Sequence, residues 1–482
     1  MKTETIAAIA TAMSNSGIGI IRISGEDAIS IADKIYHSKN RNKKLFQVKS
    51  HTIHYGFIYD KEELIDEVMV AVMKAPNSYT TEDTVEINCH GGILIMNRIL
   101  EIILKNGARL AEPGEFTKRA FLNGRIDLSK AEAVMDVIQS QNEYALKSSI
   151  NQLNGAVFEA VKKLREEIIY EIAFIESALD DPEHISIEGY NEKLSVKIED
   201  LTKRISKLIA SSDNGKMLKE GINTVIVGKP NVGKSSLLNL LVGEEKAIVT
   251  NVAGTTRDVL EETINLHGIG LNIIDTAGIR STEDIVEKIG VEKAKKYAAD
   301  ADLIVYVVDS SVDFDESDEE IIELIRDKNA IVLLNKTDLD SVITEEYLCK
   351  KLDEIEEKNN SGNENKSFSE KSDIHGSHKI IKTSTKENIG IDIFENTIKD
   401  MFFHDELKFN DEVFITNMRH KEALSDAYDS LIMVKKSLED DMPEDFYSID
   451  LMSAYASLGM IIGEEVGEDL VNEIFSKFCM GK

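Results

Sequence analysis

At 482 residues the chain is long enough for about three domains and several buried cores. Hydrophobic residues at 42%, charged residues at 30% and only 5 prolines exclude collagen-like and wholly disordered classes, and 3 cysteines (Cys89, Cys349, Cys479) exclude a disulfide framework and favour a reducing compartment. A net charge of −31 repels phosphate backbones, so tight sequence-independent binding to nucleic acid is excluded and any such contact must be local. Residues 1–120 hold 15 Lys or Arg and 15 Asp or Glu, which puts the whole acidic excess in the remainder. No apolar run approaches the roughly 18–20 residues of a membrane span. The stretch IAAIATAM near the start is short and weakly basic at its head, so no targeting peptide, no membrane and a cytoplasmic location are expected.

Residues 1–120 alternate short β-rich runs (GIGIIRISG, HTIHYGFIY, EVMVAVMKA, DTVEINCH) with a helical stretch after Gly91-Gly92, which predicts an α+β domain. From 121 to 215 the pattern is helical. Between 146 and 179 the apolar positions Ile150, Leu153, Val157, Val161, Leu164, Ile168, Ile172, Ile175 and Leu179 recur every three or four residues, predicting one long amphipathic helix that packs in a bundle and ends near Asp181-Pro182. Residues 216–400 switch to apolar strands (NTVIVG, LNIIDTAG, ADLIVYVVD, AIVLLNK, KIIKTS) with helices between them, the pattern of a doubly wound α/β domain. Within it, 358–378 is rich in Asn, Ser and Gly and predicts a disordered surface insertion. Helical periodicity resumes over 401–482, so the α/β domain is expected to be inserted within a helical one.

Gly228-Lys229-Pro230-Asn231-Val232-Gly233-Lys234-Ser235 fits G-x-x-x-x-G-K-[ST] between a strand and a helix-like SLLNLLVG, with Ser236 next. Backbone N–H groups of such a loop cradle a β-phosphate, Lys234 neutralises β/γ charge and the Ser235 hydroxyl reaches Mg²⁺. Asp275-Thr276-Ala277-Gly278 follows a second strand, where the acid can hold Mg²⁺ through water and the Gly278 N–H can meet a γ-phosphate. Asn335-Lys336-Thr337-Asp338 follows a third and places a carboxylate that accepts from guanine N1–H and its 2-amino group, a pairing adenine cannot make. Ser384-Thr385-Lys386 is expected to close over the base. Thr250-Asn251-Val252-Ala253-Gly254-Thr255-Thr256 forms a switch loop in which Thr256 supplies the second Mg²⁺ hydroxyl. The residue after Gly278 is Ile279, which cannot orient a water, so hydrolysis needs a carboxylate among Glu283, Asp284, Glu287 and Glu292.

GKPNVGKSSLLN, TNVAGTTRDVLEE, DTAGIR with the later Glu287-Lys288-Ile289-Gly290, the N-terminal IIRISG, HGG and EPGEFTKRAFLNGRIDLSKAEA, and the terminal FCMGK together resemble the MnmE (TrmE) family of tRNA modification GTPases over nearly the full length. The resemblance implies an N-terminal domain similar to folate-binding one-carbon enzymes, a discontinuous helical domain and an inserted Ras-like G domain. It implies homodimers through the N-terminal domains and K⁺ in the place of an arginine finger, held by Asn231, Thr250, Val252 and Thr255. Glu287 becomes the water-orienting residue. The implied reaction, with the flavoprotein MnmG (GidA) in a heterotetramer or larger complex, adds a carboxymethylaminomethyl-type group to C5 of the wobble uridine of certain tRNAs. The one-carbon unit comes from 5-formyl- or 5,10-methylene-tetrahydrofolate, with Arg22, Glu86, Arg125 and Lys482 as the matching folate contacts. Cys479 matches a functionally important cysteine, as nucleophile or as support for the folate site, and Met480-Gly481-Lys482 after it is no prenylation signal. His90 reads as a structural turn residue.

Two other readings stand beside this one. A ribosome-assembly GTPase would share the G motifs but usually carries a basic RNA-binding module, which this acidic chain lacks as a tail. A stand-alone folate-dependent methyl-transfer enzyme would account for the N-terminal domain only.

Overall fold

In a computed structural model, residues 4–39, 43–181, 183–184, 189–246, 262–266, 269–274, 301–326, 328–360, 379–403, 413–479 and 481 are described. The chain divides into two compact units, Met1–Ile138 with Ile150–Ser206 and Glu422–Lys482, and Gln139–Ser149 with Lys207–Lys421.

The first unit begins with β1 (Ile6–Ile9), β2 (Ser16–Ser24), α1 (Ala28–Ile35), β3 (Tyr36–Ser38), β4 (Thr52–Asp60), β5 (Glu63–Met73), β6 (Thr84–Gly91), α2 (Ile93–Lys105) and β7 (Arg109–Leu110). The strands form a seven-stranded sheet in the order β3-β4-β5-β6-β2-β1-β7, antiparallel except for the β1–β7 pair. Alternation fixes its faces: Ile21, Ile23, Ile58, Val68, Val70, Val72, Val85 and Ile87 are buried together with the apolar sides of α1 and α2. Arg22 and Glu86, directly paired across β2 and β6, therefore point to the opposite face. The apolar stretch near the start of the chain forms β1 and packs inside the sheet. Together with α1, β3 and β7 it goes beyond the elements expected from sequence.

Helices α3 (Glu115–Leu122), α4 (Leu128–Gln139), α5 (Glu143–Leu153), α6 (Ala156–Asp180) and α7 (Tyr190–Glu220) follow. The single helix expected over 146–179 is two, α5 and α6. The break falls at Gly155, whose φ of 99° is left-handed, so the chain turns while the apolar spacing continues across it. Val157, Val161, Leu164, Ile168, Ile172 and Ile175 line the buried side of α6.

In the second unit β8 (Ile222–Val227), α8 (Lys234–Lys246), β9 (Glu262–Leu266), β10 (Ile269–Ile273), β11 (Leu303–Asp309), α9 (Glu316–Ile325), β12 (Ala330–Asn335), α10 (Glu345–Asn360), β13 (Lys379–Lys382) and α11 (Ile391–Phe403) alternate. The sheet runs β13-β12-β11-β8-β10-β9, parallel except for edge strand β9. Its strands are almost continuously buried because apolar clusters cover both faces. Helix α10 continues through residues 358–360, so the segment expected to be disordered from 358 starts as helix. The rest of that segment, 361–378, lies outside the described residues.

The chain ends in α12 (Met418–Glu439), α13 (Glu444–Ile462) and α14 (Glu468–Ser476). The break between α13 and α14 begins at Gly463, whose φ of 90° is left-handed. Helix α13 packs along α6, and Phe475 and Phe478 join Leu128, Ala131 and Met135 in one apolar cluster.

Candidate functional sites

The nucleotide motifs meet at the carboxyl ends of the parallel strands, where open α/β sheets place their ligands. After β8 the loop needs left-handed backbone at Gly228 (φ 148°), Asn231 (φ 63°) and Gly233 (φ 107°). Gly233 has a second reason: a Cβ there would overlap the side-chain amide of Asn335. That amide donates to Val232 O at 2.8 Å, while Asn335 Oδ1 accepts from Thr385 N at 3.1 Å. One buried asparagine thus locks together the phosphate loop, the end of β12 and the turn after β13.

Lys234 Nζ donates to Gly228 O and Lys229 O, both at 2.7 Å. Burial pushes its ammonium down to about 8, the expected condition of a lysine awaiting an anion. Lys229, in the same loop, is tied to Asp318 at 2.6 Å and Asp315 at 3.0 Å. Asp318 is itself buried and accepts from Tyr306 Oη at 2.7 Å, so this second lysine anchors the loop to α9. Lys336 pairs with Asp309 at 2.6 Å across the tops of β12 and β11. Thr337 Oγ1 donates to Thr383 O at 3.0 Å.

Asp338 is exposed and accepts from Ser384 Oγ at 2.7 Å, and this hydroxyl holds the carboxyl below its usual range. Ser384 is fixed by paired backbone bonds with Ile389, so the Asp338 carboxylate is oriented from the turn after β13. Lys386 is exposed beside it. The structure thus brings together Asn231, Val232, Gly233, Lys234, Ser235 and Ser236 with Asn335, Lys336, Thr337, Asp338, Ser384, Thr385 and Lys386. Thr250 to Thr256, Asp275 to Gly278, Ile279 and Glu287 lie outside the described residues. Sequence reading missed Asp309, Asp318 and Tyr306. They sit in no motif, and only the acid ending the strand LIVYVVD gave a signal.

In the first unit Arg22, Glu86 and Arg125 converge. Arg22 Nε donates to Glu86 Oε1 at 2.8 Å. Arg125 lies 4.8 Å from the centre of the Tyr79 ring and donates to Tyr79 O at 3.1 Å, while Arg22 lies 5.6 Å from the same ring and 5.5 Å from Phe116. Two guanidiniums thus share one aromatic ring, Arg22 paired with Glu86 and Arg125 bonded to the Tyr79 carbonyl, a flat, charged cluster able to hold planar or anionic groups. The chain terminus reaches it: Cys479 O accepts from Gly114 N at 3.3 Å and Gly481 O from Arg22 Nη1 at 3.3 Å. The Cys479 side chain is exposed, and Lys482 lies outside the described residues. Sequence reading missed Tyr79 and Phe116. His90 donates its backbone N–H to Asp66 and holds that carboxylate with its ring at 2.7 Å, but it lies within β6 and not in a turn, so its role is a cross-strand structural contact.

A family model described as GTP-binding protein TrmE N-terminus matches residues 5–125, and one described as MnmE helical domain matches residues 128–479. The chain belongs to the MnmE family. It is 57% identical to a protein of Lachnoclostridium phytofermentans over 482 residues, covering 100% of both chains. It is 48% identical to one of Clostridioides difficile over 479 residues and 48% identical to one of Alkaliphilus oremlandii over 481, each alignment covering 99% of both chains. All three relatives are called tRNA modification GTPase MnmE. Among the described residues no helix is long and apolar enough to cross a membrane, and no group of three or more His, Cys, Asp or Glu could hold a metal ion.

Proposed function

We propose that this chain is a K⁺-dependent GTPase of tRNA modification. With a flavoprotein partner of the MnmG type and a tetrahydrofolate one-carbon donor, it adds a carboxymethylaminomethyl-type group to C5 of the wobble uridine. The observation that carries the GTP half is the buried Lys234, bonded to the loop carbonyls of Gly228 and Lys229, in the same unit as the Asp338–Ser384 pair. In this reading the loop N–H groups and Lys234 hold the phosphates, and Asp338 selects guanine. Ser235 and Thr256 hold Mg²⁺. Asn231, Thr250, Val252 and Thr255 hold K⁺, which supplies positive charge between the β- and γ-phosphates. Glu287 orients the attacking water.

The folate half is supported by the clustering of Arg22, Arg125 and Tyr79; in this reading Glu86 accepts from an aminopterin-like ring and Lys482 meets a glutamate tail. Cys479 acts at this site as nucleophile or support. The reading includes a homodimer through residues 1–120, helical segments 121–215 and 401–482, a G domain over 216–400 and a cytoplasmic location. The test is mass spectrometry of wobble nucleosides in tRNA from cells lacking the chain and from the same cells carrying it back. A C5-substituted uridine that vanishes and returns supports the proposal. Unchanged wobble uridines with abnormal ribosomal particles move it to ribosome assembly.

A further inference from the structure

Residues 34–59 contain six Lys or Arg, three His and no Asp or Glu, in a chain whose formal charge is −31. The structure shows how this segment is presented. Leu45 and Val48 are buried in the core beneath the sheet, and Asp33 Oδ1 accepts from Leu45 N at 2.7 Å. With those two side chains and one backbone donor pinned inward, Lys43, Lys44, Phe46, Gln47 and Lys49 all face outward. Phe46 is 58% exposed beside the buried Leu45.

Glu26, Asp33 and Asp83 line a cavity with Lys44, Phe46 and Lys74, yet the loop lysines are not drawn into ion pairs. Among the described residues Lys39, Lys43, Lys44 and Lys49 have no carboxylate partner, whereas lysines elsewhere, such as Lys105, Lys197, Lys229 and Lys351, are paired with acids. Lys39 lies 5.7 Å from the centre of the Tyr55 ring. Lys74 Nζ donates to Phe46 O at 3.0 Å, adding another cation at the base of the loop. A solvated surface would serve solubility equally well with mixed charges. A loop that presents several lysines together with an exposed aromatic ring instead matches a polyanion that also offers flat faces.

We propose that Lys39, Lys43, Lys44, Lys49 and Phe46 form a tRNA contact on the N-terminal sheet, the lysines meeting backbone phosphates and Phe46 stacking on an unpaired base. The proposal rests on the tRNA modification reading and supplies the local contact that the overall acidity demands.

The test is fluorescence anisotropy of the full-length chain with a labelled tRNA transcript carrying an unmodified wobble uridine, titrated over a range of KCl concentrations. Replacing Lys43, Lys44 and Lys49 together by Ala is expected to weaken binding about tenfold near 0.1 M salt and to lower the slope of log K against log salt by about 2. Replacing the same three by Arg should keep both near wild type. Phe46→Ala should weaken binding roughly tenfold with the slope unchanged, since stacking releases no counterions. Unfolding temperature and GTP hydrolysis without tRNA should stay at wild-type values in every variant. Wild-type affinity and slope in the triple Ala variant overturn the proposal, as does loss of binding to phosphatidylserine vesicles with tRNA binding unchanged. A wild-type chain that hydrolyses GTP but binds no tRNA at any salt overturns the tRNA reading itself.

Discussion

Arg22 and Gly481, 459 positions apart, are joined by a hydrogen bond of 3.3 Å from the guanidinium to the backbone carbonyl, while the same guanidinium is held by Glu86. The terminus is seated closely: a side chain at Gly481, whose φ is 87°, would collide with the backbone of Ile9 and Ala10. Gly481 therefore walls one side of the Arg22 guanidinium that also faces Tyr79. Removing 479–482 is expected to abolish binding of 5-formyl-tetrahydrofolate in calorimetry while leaving nucleotide affinity unchanged. Phe475 and Phe478 remain to hold the cluster, so the unfolding temperature should drop only slightly. Undiminished folate affinity in the truncated chain would show that the tail is a strap and not a wall.

Burial holds the Lys234 ammonium near 8, far below an ordinary lysine, and a bound polyphosphate favours the charged form. The sign follows: above pH 8 the free protein has lost this proton and must take one up to bind. GDP affinity should therefore fall as pH rises from 8 to 9, and calorimetry in two buffers of different ionisation heat should register proton uptake. Lys234→Met should bind weakly without that pH dependence. Absence of uptake in the wild type would mean that the lysine is already charged in the free loop.

Asp338 accepts from Ser384 and faces solvent where a base can dock. Asp338→Asn exchanges one acceptor for a donor, which matches the 2-oxo group of xanthine and repels the 2-amino group of guanine. GTP affinity should fall by about 10²-fold or more while xanthosine triphosphate gains. Ser384→Ala, which frees the carboxylate without changing its charge, should cost far less. Equal losses for both nucleotides with Asp338→Asn would show that the acid shapes the turn and does not read the base.

What could be read from sequence was whatever imposes residue identity at fixed spacing. Gly228 and Gly233 are required by backbone sign and by the nearness of Asn335, so the phosphate loop announced itself. The buried strands of the second sheet did so through unbroken apolar runs. Tyr79 and Phe116 left no trace, because an aromatic ring beside an arginine has no characteristic spacing. The break at Gly155 was hidden since apolar residues keep helical period on both sides of it. Edge strand β9 was missed because its five residues, ETINL, are too few and too polar to stand out.

Hydrolysis offers a test of residues beyond those described. GTP turnover should be much faster in K⁺ than in Na⁺ at equal ionic strength, and Glu287→Ala should bind GTP while losing turnover. Indifference to the cation removes the role given to Asn231. An unchanged kcat returns Glu287 to an ordinary solvated position.

The last prediction concerns acid stability. Burial raises the carboxyl of Glu115, but Arg109, the Glu112 backbone N–H and Arg119 outweigh it and bring it to about 2. Arg109 Nη2 meets it at 2.6 Å and Arg119 Nη2 at 2.9 Å, tying the start of α3 to β7. A carboxyl depressed in the folded state stabilises above its ordinary range and loses that contribution as pH falls toward 2. The contribution at neutral pH is on the order of 2–3 kcal/mol. Glu115→Gln keeps the shape and one acceptor, so it should lower the first unit's unfolding temperature by several degrees at pH 7. The gap from wild type should narrow from about pH 5 downward, because the carboxyl of the unfolded chain takes up its proton there while the folded one stays ionised until about pH 2. A gap that stays constant over that range would mean that the variant is weakened by packing alone and that the two arginines contribute no net charge stabilisation.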